Sequence, residues 1–263
     1  LARFLAHILL DITVIRDNID PMDGSSTLGW REAFGDAESL YKDFTAIKEW
    51  LIAQGIDPTK GRFADYVKFI ASWKNSDEKK FFTAETATYF REIHELLWAY
   101  REFLLNQSDL TAELIRKTLQ SKALPSQKPG SEEGRNYLLQ LRAAAYFLRC
   151  DFEVSVNSDA DIVARRGETT YYVECKRLYS MKQISKRMND LHDQLCARIK
   201  QHPCQGEVYG IAWIDPTPII VGKIGLYSAF STLGAQMAVR VDLNIFADLC
   251  PLDILKTERR ILA

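Results

Sequence analysis

Apolar and polar positions follow two different periods along the chain, and the period changes near its middle. Up to about residue 120, apolar residues recur at spacings of three and four, as in REAFGDAESLYKDFTAIKEWLIAQG and ATYFREIHELLWAYREFLL. This spacing predicts amphipathic helices. The opening LARFLAHILLDITVI has the same spacing, and His7 and Asp11 interrupt it too early for a membrane span. We therefore expect an all-α helical domain over residues 1–120, and no membrane partner.

A composition change marks the boundary of this helical half. The stretch SKALPSQKPGS, residues 121–131, is rich in Ser, Pro, Lys and Gly, which predicts a linker. Helical spacing then returns in SEEGRNYLLQLRAAAYFLRC, where Ser131 is placed to cap the helix. Stepping back four residues from Tyr137 leads to Glu133, so we expect Glu133 to head the buried face of this helix.

The rest of the chain reads as strands separated by one helix. Short runs rich in β-branched and aromatic residues predict four strands, in FEVSV, DIVA, TYYVEC and VYGIAWI, with a helix in SMKQISKRMNDLHDQLCARIK between the last two. Short connections favour antiparallel pairing of the first three strands, and the helical crossover allows the fourth to be parallel. Residues 132–263 are therefore expected to form an α/β domain with a mixed β-sheet flanked by helices.

Charged residues lie inside two of these predicted strands. Alternation along TYYVECK places Tyr172, Glu174 and Lys176 on one face of the strand and Cys175 on the other, apolar face. Cys175 is therefore expected to be a buried structural thiol.

The turn between the two strands decides which aspartate lies opposite Glu174. A two-residue loop of Gly167 and Glu168 places Asp161 there, whereas a loop of Arg166 and Gly167 places Asp159 there. Either register sets a carboxylate against a carboxylate, which destabilises a strand pair unless a positive charge lies between them. A divalent cation such as Mg²⁺ suits two hard oxygen ligands, and Lys176 could then assist the attack of water on a phosphate.

These residues resemble a known family. Asp161 followed by Glu174-Cys175-Lys176 at a hairpin's distance, after a helix with Glu133 and before a long helix, resembles the PD-(D/E)XK phosphodiesterase superfamily. The resemblance covers roughly residues 131–222, and Ala160 stands where the family name has proline. It implies a restriction-endonuclease-like fold and a Mg²⁺-dependent nuclease, with Mn²⁺ as a substitute ion. It also implies site residues at five positions, with the first three as metal ligands: Asp161, Glu174, Glu133, Lys176 and Gln194.

The local charge adds a candidate substrate. The whole chain is nearly neutral, with 34 basic and 35 acidic residues, but basic residues outnumber acidic ones after the motif. Such a patch beside the site suits a phosphate backbone. DNA is expected from the family alone, with RNA open as an alternative. The candidate nucleic-acid contacts are Arg165, Arg166, Arg177, Lys182, Lys186 and Arg187.

The cysteines suggest a compartment and one competing site. Five scattered cysteines without a C-x-x-C pair favour free thiols in a reducing cytoplasm. His192, Cys196, His202 and Cys204 fit no common zinc motif, so ordinary packing is expected there and a structural zinc site is the alternative.

Two functional alternatives to the nuclease remain. The fold could be a non-catalytic nucleic-acid or protein-binding module. Alternatively, the helical half could be the working part, as an interaction adaptor that binds a protein partner or a second copy of the chain.

Overall fold

The computed structural model describes residues 37–74, 84–106, 112–120, 133–156, 160–201, 206–216 and short pieces between 219 and 262. The helices are α1 (Ala37–Ala53), α2 (Gly61–Lys74), α3 (Ala84–Asn106), α4 (Ala112–Gln120), α5 (Glu133–Arg149), α6 (Ile184–Gln201) and α7 (Asp253–Lys256). A single 3₁₀ turn, Met181–Gln183, leads into α6. The strands are β1 (Glu153–Val156), β2 (Ile162–Arg166), β3 (Thr169–Arg177), β4 (Val208–Asp215) and β5 (Ile261–Leu262).

The five strands form one mixed sheet in the order β1-β2-β3-β4-β5. The first three pair antiparallel, β4 is parallel to β3, and β5 is parallel to β4. The expected mixed sheet is therefore confirmed, together with the α/β class. The two-residue strand β5 was not expected from the sequence.

Helix α5 lies between the sheet and the helices of the N-terminal half. It packs on α3 and α4 on one side and on β1, β2 and β3 on the other. Its three consecutive alanines, Ala143, Ala144 and Ala145, are all fully buried. A helix that is apolar on most of its circumference is covered on both sides, and the small side chains let its neighbours approach closely.

The N-terminal helices and the sheet share one hydrophobic core. A continuous cluster of buried side chains runs from Phe44 in α1 through Ile93 in α3 to Val173 in β3 and Ile211 in β4. Helices were expected throughout 1–120, and those described agree with that. The predicted opening helix and the 121–131 linker lie outside the described residues. In the described residues, the N-terminal helices and the α/β part of the chain pack on each other through this cluster.

Helix α6 covers the opposite face of the sheet. Its buried positions are Ile184, Met188, Leu191, Leu195 and Ile199, which recur at three and four residues. These side chains form a second cluster with Val163 and Tyr172 of the sheet. None of the described helices combines the length and the apolar character needed to cross a membrane.

The β2–β3 hairpin has the register expected for a Gly167-Glu168 loop. Ile162 pairs with Val173, and Arg166 pairs with Thr169 directly beside the turn. Gly167 has a φ of +61°, the left-handed backbone that favours glycine at this turn position. The alternation along β3 also agrees, because Tyr172 belongs to the α6-side cluster and Cys175 to the helical-side core.

Candidate active site

The hairpin register brings Asp161 and Glu174 together. Continuing the pairing of Ile162 with Val173 by one residue places Asp161 opposite Glu174, and their carboxyls interact directly. Of the two aspartates considered, Asp161 is therefore the one that meets Glu174. Asp159 lies outside the described residues.

Two donors hold the Asp161 carboxylate in place. The Gln140 Nε2 group on α5 donates a hydrogen bond of 2.8 Å to Oδ1, and the backbone N–H of Cys175 donates one of 2.7 Å to Oδ2. The Glu174 carboxyl shares a further hydrogen bond with Asp161, so the two donors fix Asp161 directly beside Glu174. Asp161 is thus oriented by both α5 and β3.

Glu174 is buried between two cations. The residue is 4% exposed. Lys176 Nζ lies 3.9 Å from Oε2, and Arg198 Nε of α6 lies 3.8 Å from Oε1. Both distances are longer than hydrogen bonds. The two cations therefore compensate the charge of Glu174 without donating a hydrogen bond to its carboxylate oxygens.

This environment makes the ionisation of Glu174 harder than usual. Burial raises the pKa of the Glu174 carboxyl to about 7, and the negative Asp161 acts in the same direction, while Lys176 and Arg198 oppose it. Burial also raises the pKa of Asp161, against the opposing hydrogen bond from Cys175. Two carboxyls with raised pKa values in one place are typical of functional sites.

The pair provides the kind of ligands that a hard cation requires. Carboxylate oxygens with free lone pairs suit Mg²⁺, which keeps several waters and needs only one or two protein carboxylates. Among the described residues, no group of three or more His, Cys, Asp or Glu side chains could hold a metal ion. Asp161 and Glu174 could therefore hold a magnesium ion only together with water or substrate oxygens.

The two helix-borne residues implied by the family resemblance are both exposed. Glu133 is exposed and accepts a 3.3 Å hydrogen bond from the Tyr137 hydroxyl. It does not head the buried face, because the buried surface at this end of α5 begins with Gly134 and Arg135. Glu133 lies about 10 Å along the helix axis from Gln140, seven residues away. Gln194 is exposed on α6, one turn before Arg198.

Arg177 has partners other than a phosphate. The side chain is buried, and its Nε donates a 2.5 Å hydrogen bond to Asp215 of β4. Its NH2 group lies 3.4 Å from Glu95 of α3, which also pairs with Arg142. These contacts give Arg177 a structural role, joining the strand that carries Glu174 and Lys176 to the N-terminal helices.

The remaining predicted nucleic-acid contacts are on the surface. They are Arg165, Arg166, Lys182, Lys186 and Arg187, and all five are exposed. The Arg166 guanidinium also lies over the Phe152 ring, 5.5 Å from its centroid. The first two lie at the hairpin end of the sheet, Lys182 lies in the 3₁₀ turn, and Lys186 and Arg187 lie in the first turn of α6.

Two residues at the site were missed by the sequence interpretation. Gln140 and Arg198 were not among the site residues predicted from the sequence. One signal was usable for Gln140, because it lies seven residues after Glu133 and so on the same helical face. For Arg198 there was none, since its approach to Glu174 depends on how α6 packs across the sheet.

Part of the alternative zinc group is described. Cys196 Sγ lies 3.4 Å from His192 Nε2, one helical turn away. His202 and Cys204 lie outside the described residues. This contact joins two side chains that are four residues apart on the same helix α6.

No protein-family model, curated protein or solved structure matches this chain. The resemblance to the PD-(D/E)XK superfamily therefore depends on the motif residues themselves. At the coarser level, the chain is an α/β protein with a mixed sheet flanked by helices.

Proposed function

We propose that the chain is a Mg²⁺-dependent nuclease that hydrolyses phosphodiester bonds of DNA, with a restriction-endonuclease-like domain around the β2–β3 hairpin. The observation that carries this proposal is the buried pair of Asp161 and Glu174 with Lys176 beside it. Two opposed, buried carboxyls destabilise the fold by themselves. A bound cation would offset that destabilisation.

Asp161 and Glu174 are the residues that would hold the ion. When bound, Mg²⁺ would lower the pKa of an attacking water and offset negative charge on the phosphate. The hydrogen bonds from Gln140 and from the Cys175 backbone fix the orientation of Asp161 before any ion arrives. Such supporting contacts commonly tune the affinity of a metal site.

Lys176 is the residue suited to handle the attacking water. Its ammonium shares the strand face of Glu174, lies 3.9 Å from it, and has a side chain that is 20% exposed. From there it can donate hydrogen bonds to a water or to a phosphate oxygen that enters from solvent. Cys175 is unsuited to nucleophilic attack, because burial raises the pKa of its thiol well above the usual value.

Cleavage assays with single variants test the proposal. Wild-type protein with Mg²⁺ or Mn²⁺ should cleave supercoiled or linear DNA, and RNA should be assayed in parallel. Lys176→Ala should abolish cleavage while leaving DNA binding intact, because the lysine acts on the reacting groups and not on the nucleic acid as a whole. Undiminished cleavage by both Glu174→Ala and Lys176→Ala would refute the assignment.

A second comparison addresses the metal ligands. Asp161→Ala should lose activity, whereas Asp159→Ala should keep most of it, because Asp161 is the aspartate opposite Glu174. Magnesium binding measured by calorimetry should follow the same order. Equal losses in both variants would contradict the assignment of Asp161 as the ligand.

A further inference from the structure

We infer that Arg198 binds the scissile phosphate, so that the site recognises a phosphodiester through an arginine of α6 as well as through the metal ligands. This inference rests on the proposed nuclease function and adds a substrate-contacting residue to it. Arg198 belongs to α6, while the motif residues belong to the hairpin.

The first argument is the unused hydrogen-bonding capacity of Arg198. Its Nε atom is buried, and within the described part of the chain it has no hydrogen-bond partner. A buried donor without an acceptor is energetically unfavourable. An incoming phosphate oxygen would supply the missing acceptor. The Nε atom itself is closed to solvent, but the side chain as a whole is 34% exposed, so a ligand from solvent can contact other atoms of this side chain.

The second argument is that Arg198 is placed differently from a purely neutralising arginine. Arg177 shows what such a residue looks like, because its Nε lies 2.5 Å from Asp215 in a buried pair. Arg198 Nε stays 3.8 Å from Glu174 Oε1. A guanidinium offers donors in a planar fork that matches two oxygens of a phosphate. Its present distance from Glu174 leaves that fork available.

The third argument is charge balance. With both carboxyls ionised, as metal binding requires, the charges of Asp161 and Glu174 are matched by those of Lys176 and Arg198. A bound Mg²⁺ would leave an excess of two positive charges. A phosphodiester under attack by hydroxide carries two negative charges. The two carboxylates, Lys176, Arg198 and a bound Mg²⁺ together would therefore balance the charge of the transition state.

The decisive variant is Arg198→Met, which keeps a long side chain without charge or donors. At saturating Mg²⁺, kcat for DNA cleavage should fall about 100-fold, the usual effect of removing one donor to a transition-state oxygen. Arg198→Lys should recover only part of this loss, since an ammonium lacks the planar fork. Lys200→Met on the same helix is the matched control, because the charge of Lys200 interacts with Cys196 and Glu258 and not with the carboxylate pair. It should stay within about twofold of wild type, whereas the full loss in Lys200→Met would contradict a specific role for Arg198.

Magnesium affinity separates phosphate binding from simple neutralisation of Glu174. If Arg198 only neutralises Glu174, then Arg198→Met should change the Mg²⁺ dissociation constant and keep kcat at saturating Mg²⁺. That result would overturn the inference. A kcat that stays low at every Mg²⁺ concentration supports it.

A binding assay keeps this inference distinguishable from the nuclease proposal. Anisotropy of a fluorescein-labelled DNA duplex in Ca²⁺ measures binding without requiring cleavage. Arg198→Met should bind about tenfold more weakly than Lys200→Met. If the wild type binds but never cleaves and this difference persists, the nuclease proposal fails and the phosphate contact stands. If the wild type cleaves and Arg198→Met both cleaves and binds equally well, only the arginine inference fails.

Discussion

Replacing Glu174 by glutamine should stabilise the metal-free protein at alkaline pH. The folded-state pKa of Glu174 is about 7 against an ordinary value of 4.5. A raised pKa means that the folded state holds the proton more tightly than the unfolded chain does. The stabilising contribution of this carboxyl is therefore complete below pH 4.5 and is lost as the pH rises to about 7. Glutamine mimics the protonated form and should remove that loss.

The size of the effect follows from the pKa difference. A gap of about 2.5 pH units, at 1.36 kcal/mol for each unit, sets an upper value of about 3 kcal/mol. Because Asp161 titrates with Glu174 and because removing the charge leaves Lys176 and Arg198 less compensated, we expect about 1–2 kcal/mol at pH 8. For a chain of this length, that corresponds to a rise in Tm of about 2–8 °C.

Thermal unfolding in a chelating buffer at pH 5 and pH 8 measures this directly. Glu174→Gln should exceed the wild type at pH 8 and differ little from it at pH 5, while the exposed Glu168→Gln serves as the control at both. Adding Mg²⁺ at pH 8 should then stabilise the wild type more than Glu174→Gln. If Glu174→Gln is no more stable than the wild type at pH 8, then ionisation of Glu174 does not destabilise the folded protein and the reasoning is refuted.

Three further changes test the parts of the fold that hold the site. Gly167→Ala should lower the free energy of unfolding by about 1–2 kcal/mol in urea melts, because its φ of +61° disfavours a β-carbon although the space beside it is open; an unchanged midpoint would contradict the assigned turn. Glu95→Gln should cost roughly 2–3 kcal/mol, because Arg177 loses a buried anionic partner, and a loss below 0.5 kcal/mol would argue against the network. Gln140→Leu should weaken Mg²⁺ binding about tenfold or more in calorimetry, because Asp161 loses a donor that orients it, whereas unchanged affinity would remove Gln140 from the site.

Local sequence information was sufficient for the hairpin. The turn preference of Gly167 and the alternation of side chains along β3 act over a few residues and leave only two registers for the hairpin. An aspartate opposite Glu174 and the core position of Cys175 could therefore be expected, whereas the choice between Asp159 and Asp161 required the observed register.

Contacts between elements that are distant in the sequence could not be predicted from local sequence patterns. Gln140 reaches Asp161 across 21 residues and Arg198 approaches Glu174 across the sheet. Which turn of a helix lies over the site depends on the crossing angle and on the side chains packed between the elements. Arg177 illustrates the converse, because a basic residue beside a motif looked like a phosphate ligand until the positions of Glu95 and Asp215 were known.

The placement of α5 determines how the chain can be divided. Its Arg135 is matched by Glu92 and its Tyr146 ring lies 4.2 Å from the ring centroid of Trp98, both in α3. A fragment that begins at residue 132 would retain the hairpin but leave a charged, aromatic and apolar flank of α5 open to water. Such a fragment should aggregate during expression. The N-terminal helices therefore cover a flank of α5 that residues 132–263 could not bury by themselves.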